Sequence, residues 1–133
     1  MRYRIIALLV LAMSCKSNDV RNTEGCDADF DVFFKKFASD STFQKQHFDF
    51  PVMEYYSDED FPLDLLERHI DEESYVFVDF TGDKTLYDIS VEKKKDSVIY
   101  TRRMRDRHHL PMIYKFAQNG DCWMLVEFSD LTD

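Results

Sequence analysis

LPMIYKFAQNGDCWMLVEF, Leu110 to Phe128, is the stretch on which the fold turns. Leu110, Met112, Tyr114 and Phe116 alternate onto one face, and Cys122, Met124, Val126 and Phe128 do the same in the second run. Period-two alternation is the signature of a half-buried strand. Asn119-Gly120 stands between the runs, and both residues tolerate a positive φ, so the pair predicts a β-hairpin. Just upstream, Val98, Tyr100, Arg102 and Met104 share a face and predict another strand. The C-terminal third is therefore an antiparallel sheet.

Working back toward the N-terminus, Tyr75 to Phe80 is rich in Val and aromatics and predicts a strand, closed by the turn Thr81-Gly82-Asp83. Leu86 to Val91 is a further strand or part of a loop. Leu63, Leu66 and Ile70 recur at helical spacing, with Pro62 near the first turn and Arg68 near the last, after an acidic turn at Ser57 to Asp60. Phe48, Phe50, Val52 and Tyr56 lie along an extended segment in which Pro51 suggests a sheet edge. Phe30, Phe33, Phe34 and Phe37 fall at i, i+3, i+4 and i+7, one stripe of a helix, with Asp27 and Asp29 suited to its N-terminus. Ser41 and Gln44 have capping-box spacing for a second, short helix. Helices first and antiparallel strands last imply an α+β domain with the helices packed on one side of a sheet.

The first fifteen residues, MRYRIIALLVLAMSC, have a different logic. Arg2 and Arg4 precede an apolar run from Ile5 to Met13, and Ala12, Met13 and Ser14 lead into Cys15. As a helix the run rises only about 14 Å, too short for a bilayer core of roughly 30 Å. A charged start, a short apolar core and small residues before a cysteine predict a lipoprotein signal at residues 1–15, with Cys15 as the site of lipid attachment. Residues 16–25 have no apolar periodicity and end in a glycine, which predicts a flexible tether, leaving residues 26–133 as a single domain. The expected address is the cell envelope of a Gram-negative bacterium, at the outer membrane on its periplasmic or surface face.

Twelve Phe and seven Tyr supply an ample core. The chain carries a formal charge of −9, which argues against a nucleic-acid partner, because phosphate binding needs a basic face. The charge is uneven: Asp19 to Asp83 nets −13 and Lys84 to Lys115 nets +5. Arg102, Arg103 and Arg105 lie in the basic stretch and are candidates for binding anions, against the reading of a solvated hairpin pairing with the chain's own acids. With Cys15 lipidated, Cys26 and Cys122 remain, either as a disulfide or as two free thiols. No histidine or cysteine spacing predicts a metal, and no cofactor motif is present.

Two stretches, DFDVFFKKFASDSTFQKQHFDFP (Asp29 to Pro51) and YKFAQNGDCWMLVEFSD (Tyr114 to Asp130), together about a third of the chain, carry a likeness. They resemble the bacterial lipoprotein family called domain of unknown function 4348, of the nuclear-transport-factor-2-like (cystatin-like) superfamily. The resemblance implies a cone of helices against a strongly curved antiparallel sheet, and a pocket between them. It implies no activity. His47, Asp49, Tyr55, Asp79 and Tyr114 are the residues such a pocket would draw on, with Tyr55, Tyr114 and Trp123 as candidates for contacting a ligand. Asp79, flanked by Phe77, Val78 and Phe80, and His47 are the candidate bases. Two functions follow: a lipid-tethered, non-catalytic module binding a small ligand or envelope protein, or a small pocket enzyme of isomerase or dehydratase type.

Overall fold

The structure, a computed structural model, describes residues 25–58, 60–106 and 110–131. Helices α1 (Phe30–Phe37) and α2 (Ser41–Gln46) lead into strands β1 (Phe48–Asp58) and β2 (Phe61–Ile70). A single 3-10 turn (Glu72–Ser74) and a short helix α3 (Asp83–Leu86) precede β3 (Tyr87–Lys93), β4 (Ser97–Met104), β5 (Met112–Asn119) and β6 (Cys122–Asp130). The fold is α+β. Among the described residues no helix is long and apolar enough to cross a membrane. Cys15 and residues 16–24 lie outside the described residues.

The six strands form one sheet in the order β2-β1-β6-β5-β4-β3. The sheet is mixed rather than purely antiparallel, because β1 runs parallel to β6, with Met53 beside Glu127 and Tyr55 beside Ser129. β1 is therefore an interior strand. Pro51, expected at an edge, instead sits between Phe48 and Met53, where the pairing with β6 changes register and no ladder N–H is required. The Phe50–Pro51 peptide is cis.

α1 forms as its stripe predicts. Asp29 accepts hydrogen bonds from the Asp31 and Val32 amides at 2.8 and 3.3 Å, satisfying two orphan donors of the first turn. Phe33 and Phe37 are fully buried, with Phe37 5.1 Å from Phe116 of β5 and 5.9 Å from Phe48 of β1, centroid to centroid. The cap of α2 is Asp40, whose carboxylate accepts from the Phe43 amide at 2.9 Å, so Ser41 is the first helical residue and not the cap.

Gln44 is thereby released from any capping-box role. Fully buried, its amide donates to the carbonyls of Phe37 and Val78 at 2.9 and 2.8 Å, while its oxygen accepts from the Val78 amide and the Tyr75 hydroxyl, both at 2.9 Å. Tyr75 to Phe80 is therefore not the strand its composition predicts: the amide and carbonyl of Val78 bond to the Gln44 side chain and the Phe80 amide donates to the Ala38 carbonyl, where a strand would bond to a neighbouring strand. The segment expected to be a helix, Leu63 to Ile70, is strand β2, pairing antiparallel with β1 from Val52–Ile70 to Asp58–Phe61. Leu63 and Leu65 are exposed on this edge strand, so its apolar residues mark no core face and their spacing misleads.

The hairpin at Asn119-Gly120 forms, with Gly120 at φ +62°. A bulge in β6 opposes Phe116 to Leu125 but Lys115 to Glu127, so Val126 is an extra residue. The bulge moves the core face of β6. Trp123 and Leu125 are buried along with the expected Cys122 and Met124, Val126 is only half-buried, and Phe128 packs against the core cluster, so the inward face of β6 is not the single row Cys122, Met124, Val126 and Phe128.

Candidate functional site

A pocket of about 210 Å³ opens between the β1–β2 end of the sheet and the segment after the 3-10 turn. Phe48, Ile70, Val78 and Phe128 give it apolar walls. Its polar groups are Ser74, Tyr75 and Tyr114 and the pair Glu54 and Arg68, which face each other across the β1–β2 ladder. Glu54 is 7 % exposed and accepts a hydrogen bond from Arg68 Nε. Arg68 reaches solvent, stacks 4.8 Å over the Tyr56 ring, and makes no hydrogen bond through its terminal amino groups among the described residues. The hydrogen bond to Glu54 holds the Arg68 guanidinium above its ordinary value.

Tyr114 connects this pocket to a buried polar cluster. Arg102 donates to the Tyr114 hydroxyl at 2.9 Å and to Asp83 at 3.1 Å, and Tyr100 donates to the other Asp83 oxygen at 2.8 Å. The Arg102 guanidinium lies 4.9 to 5.2 Å from the centroids of Phe80, Tyr87 and Tyr114. Its Nε is buried with no partner among the described residues. Burial raises the Asp83 carboxyl above the usual range, opposed by Tyr100 and Arg102. Burial pushes the Tyr114 phenol up to about 12, and burial followed by the Asp40 charge pushes Tyr75 up to about 12. These phenols keep their protons at any physiological pH.

A second polar centre lies behind α2. Cys26 and Cys122 form a disulfide, with Cα atoms 5.1 Å apart. His47, at the end of α2, is 3 % exposed; its Nδ1 sits 2.6 Å from the Phe43 carbonyl and its Nε2 sits 3.1 Å from Cys26 Sγ. These three residues bring one donor atom each within 4.8 Å of the others. With the sulfurs bonded to each other, the site holds no thiolate for a metal. Burial lowers the His47 imidazole below its ordinary 6.5, opposed by the Phe43 carbonyl and reinforced by the Lys36 ammonium. The unfolded chain thus takes up this proton first on acidification. The contribution is full above pH about 6.5 and drains away as the pH falls from there. The melting temperature of the wild type should fall more steeply below pH about 6.5 than that of His47→Leu, and equal slopes would contradict this account.

The candidate residues are scattered. Of the proposed ligand contacts, Tyr114 lines the pocket. Trp123 is buried in the core, its indole donating to the Ala28 carbonyl at 3.0 Å. Tyr55 follows Glu54 in β1 and by strand alternation faces the opposite side of the sheet. Asp79 is exposed and accepts from both the hydroxyl and the amide of Thr81, at 2.6 and 2.8 Å. The hydroxyl bond and then the amide bond hold its carboxyl below the usual range, the opposite of an apolar site raising a base. Among the candidate anion-binding residues, Arg102 is buried and engaged, Arg105 pairs with Asp88 at 3.1 Å, and Arg103 is exposed on β4. Glu54, Arg68 and Asp83 were not readable as site residues, because each needs a partner that only the fold supplies.

Residues 4–130 match the family described as a domain of unknown function (DUF4348). No curated protein matches the chain. Among solved structures, an NTF2-like protein from Bacteroides fragilis is similar, with a TM-score of 0.60 and 20 % identity over 80 % of this chain. The alignment spans about half, 48 %, of that longer protein.

Proposed function

Because the chain belongs to the DUF4348 family and has an NTF2-like fold, we propose that it is a lipid-anchored envelope protein whose domain is a non-catalytic binding module. Its ligand is a small molecule with an apolar body and a hydrogen-bond-accepting head, held in the pocket beside Arg68. One observation carries the choice of binding over catalysis. The titratable groups of the pocket wall are committed elsewhere: Glu54 to Arg68, Tyr114 to Arg102, and Tyr75 to Gln44. Among the described residues that line the pocket, no base is left poised to take a proton from a substrate. The apolar walls supply affinity, and the outer edge of the Arg68 guanidinium supplies orientation.

The pocket is tested with straight-chain carboxylates from butanoate to dodecanoate and the matching alcohols. A ligand that binds only the folded state raises the melting temperature by mass action. At least one member should do so, and both Arg68→Gln and the pocket-filling Ile70→Trp should weaken the effect. No shift across both series would overturn the pocket reading. The anchor is tested separately. Cys15→Ser should release the chain from the membrane fraction, and persistence there after alkaline washing would overturn lipidation at Cys15.

A further inference from the structure

The pocket reading makes no use of the polar centre behind α2, which is built in an unusual way. The Phe43 carbonyl can only accept, so His47 Nδ1 carries the ring proton of the neutral imidazole. Nε2 therefore presents a bare lone pair to Cys26 Sγ at 3.1 Å. A disulfide sulfur has no hydrogen to give. In the oxidised protein a buried acceptor thus faces an atom that cannot satisfy it. Reduction supplies what is missing, since a Cys26 thiol would donate to Nε2. Lys36 adds positive charge on the same side: its Nζ lies 4.6 Å over the Phe43 ring, and a Cβ placed on Gly25, the neighbour of Cys26, would come within 2.4 Å of it. The Phe43 ring is in turn 4.0 Å from the His47 ring. The two sulfurs are also unequal. Cys26 is partly exposed, whereas Cys122 is 5 % exposed.

We propose that Cys26, Cys122 and His47 form a thiol–disulfide exchange centre that is reduced by an external dithiol. One partner thiolate attacks Cys26 Sγ, and the S–S electron pair leaves with Cys122 Sγ. The partner's second thiolate then attacks its own sulfur in the mixed disulfide, releasing Cys26 with that electron pair. The two protons of the partner's thiols end on Cys26 and Cys122. The partner leaves as a disulfide, so two electrons and two protons have been transferred. His47 accepts the Cys26 S–H in the reduced state. In the reverse direction it takes that proton, so that Cys26 attacks as the thiolate.

The test uses the full chain carrying Cys15→Ser, so that only this centre reports. At equilibrium with dithiothreitol, His47→Leu should make the disulfide at least tenfold harder to reduce, a fall in potential of about 30 mV. In a Cys122→Ser background the charge of Lys36 should bring the Cys26 thiol below the ordinary value of about 8.5, read from the pH dependence of alkylation. Lys36→Met, a change on the exposed side of α1, should raise it without unfolding the protein, and should also make the wild-type disulfide harder to reduce. This last arm keeps the test valid where Cys122→Ser does not fold. An exchange equilibrium unchanged by both His47→Leu and Lys36→Met would overturn the proposal and leave a purely structural cross-link.

Discussion

Asp83→Ala is expected to cost about 3–5 kcal/mol of folding stability, although Asp83 lies in a four-residue helix far from any core stripe. The loss comes from what remains. Arg102 is 7 % exposed and stays charged, because burial, which alone would lower its pKa, is outweighed by Tyr114, Asp83 and Tyr87. Its Nε already lacks a partner among the described residues, so loss of the carboxylate would leave Nη1 with only its long, 3.5 Å bond to the Asp79 carbonyl. The three surrounding rings offset only part of that cost. The double variant Asp83→Ala with Arg102→Met should be less destabilised than Asp83→Ala alone, since a buried pair is replaced rather than broken. Denaturant unfolding followed by the fluorescence of the single tryptophan, Trp123, measures both. A single variant losing under about 1 kcal/mol would mean that Tyr114 and the rings hold Arg102 without the carboxylate.

That cluster also shows where sequence reading stops. Arg102 shares its face with Val98 and Tyr100, so an inward arginine was visible in the alternation of β4. Its partner was not, because Asp83 lies nineteen residues away on another element. The same limit hid the pocket. Glu54 and Arg68 become neighbours only once β2 is a strand, and the spacing of Leu63, Leu66 and Ile70 points to a helix. Local signals read true where one face meets the core, as in α1 and in the hairpin after β5. They misled where an element is exposed on an edge, where one glutamine side chain replaces a sheet partner, and where one extra residue at Val126 shifts the inward face. The disulfide was an open pairing for a comparable reason: residues 26 and 122 are brought together by the sheet, not by the chain.

The second large effect lies at Phe37, a position the sequence does reveal. Its ring is fully buried and packs within 5.1 to 6.0 Å of Phe33, Phe48, Phe80 and Phe116. These neighbours come from α1, β1, β5 and the Gln44-bound segment, so one ring joins four parts of the fold. Phe37→Ala removes the ring and leaves a cavity whose aromatic walls cannot collapse without losing their own edge contacts. The expected cost is about 3–5 kcal/mol, out of roughly 5–15 for a domain of this size. At roughly 4 °C per kcal/mol the melting temperature should drop by about 12–20 °C. Phe37→Leu, which refills most of the volume, should recover more than half of the loss. Val32→Ala on the same helix is the control, because Val32 is 55 % exposed and its truncation removes little buried area. If Phe37→Ala melts within about 3 °C of the wild type, α1 does not form the centre of this core.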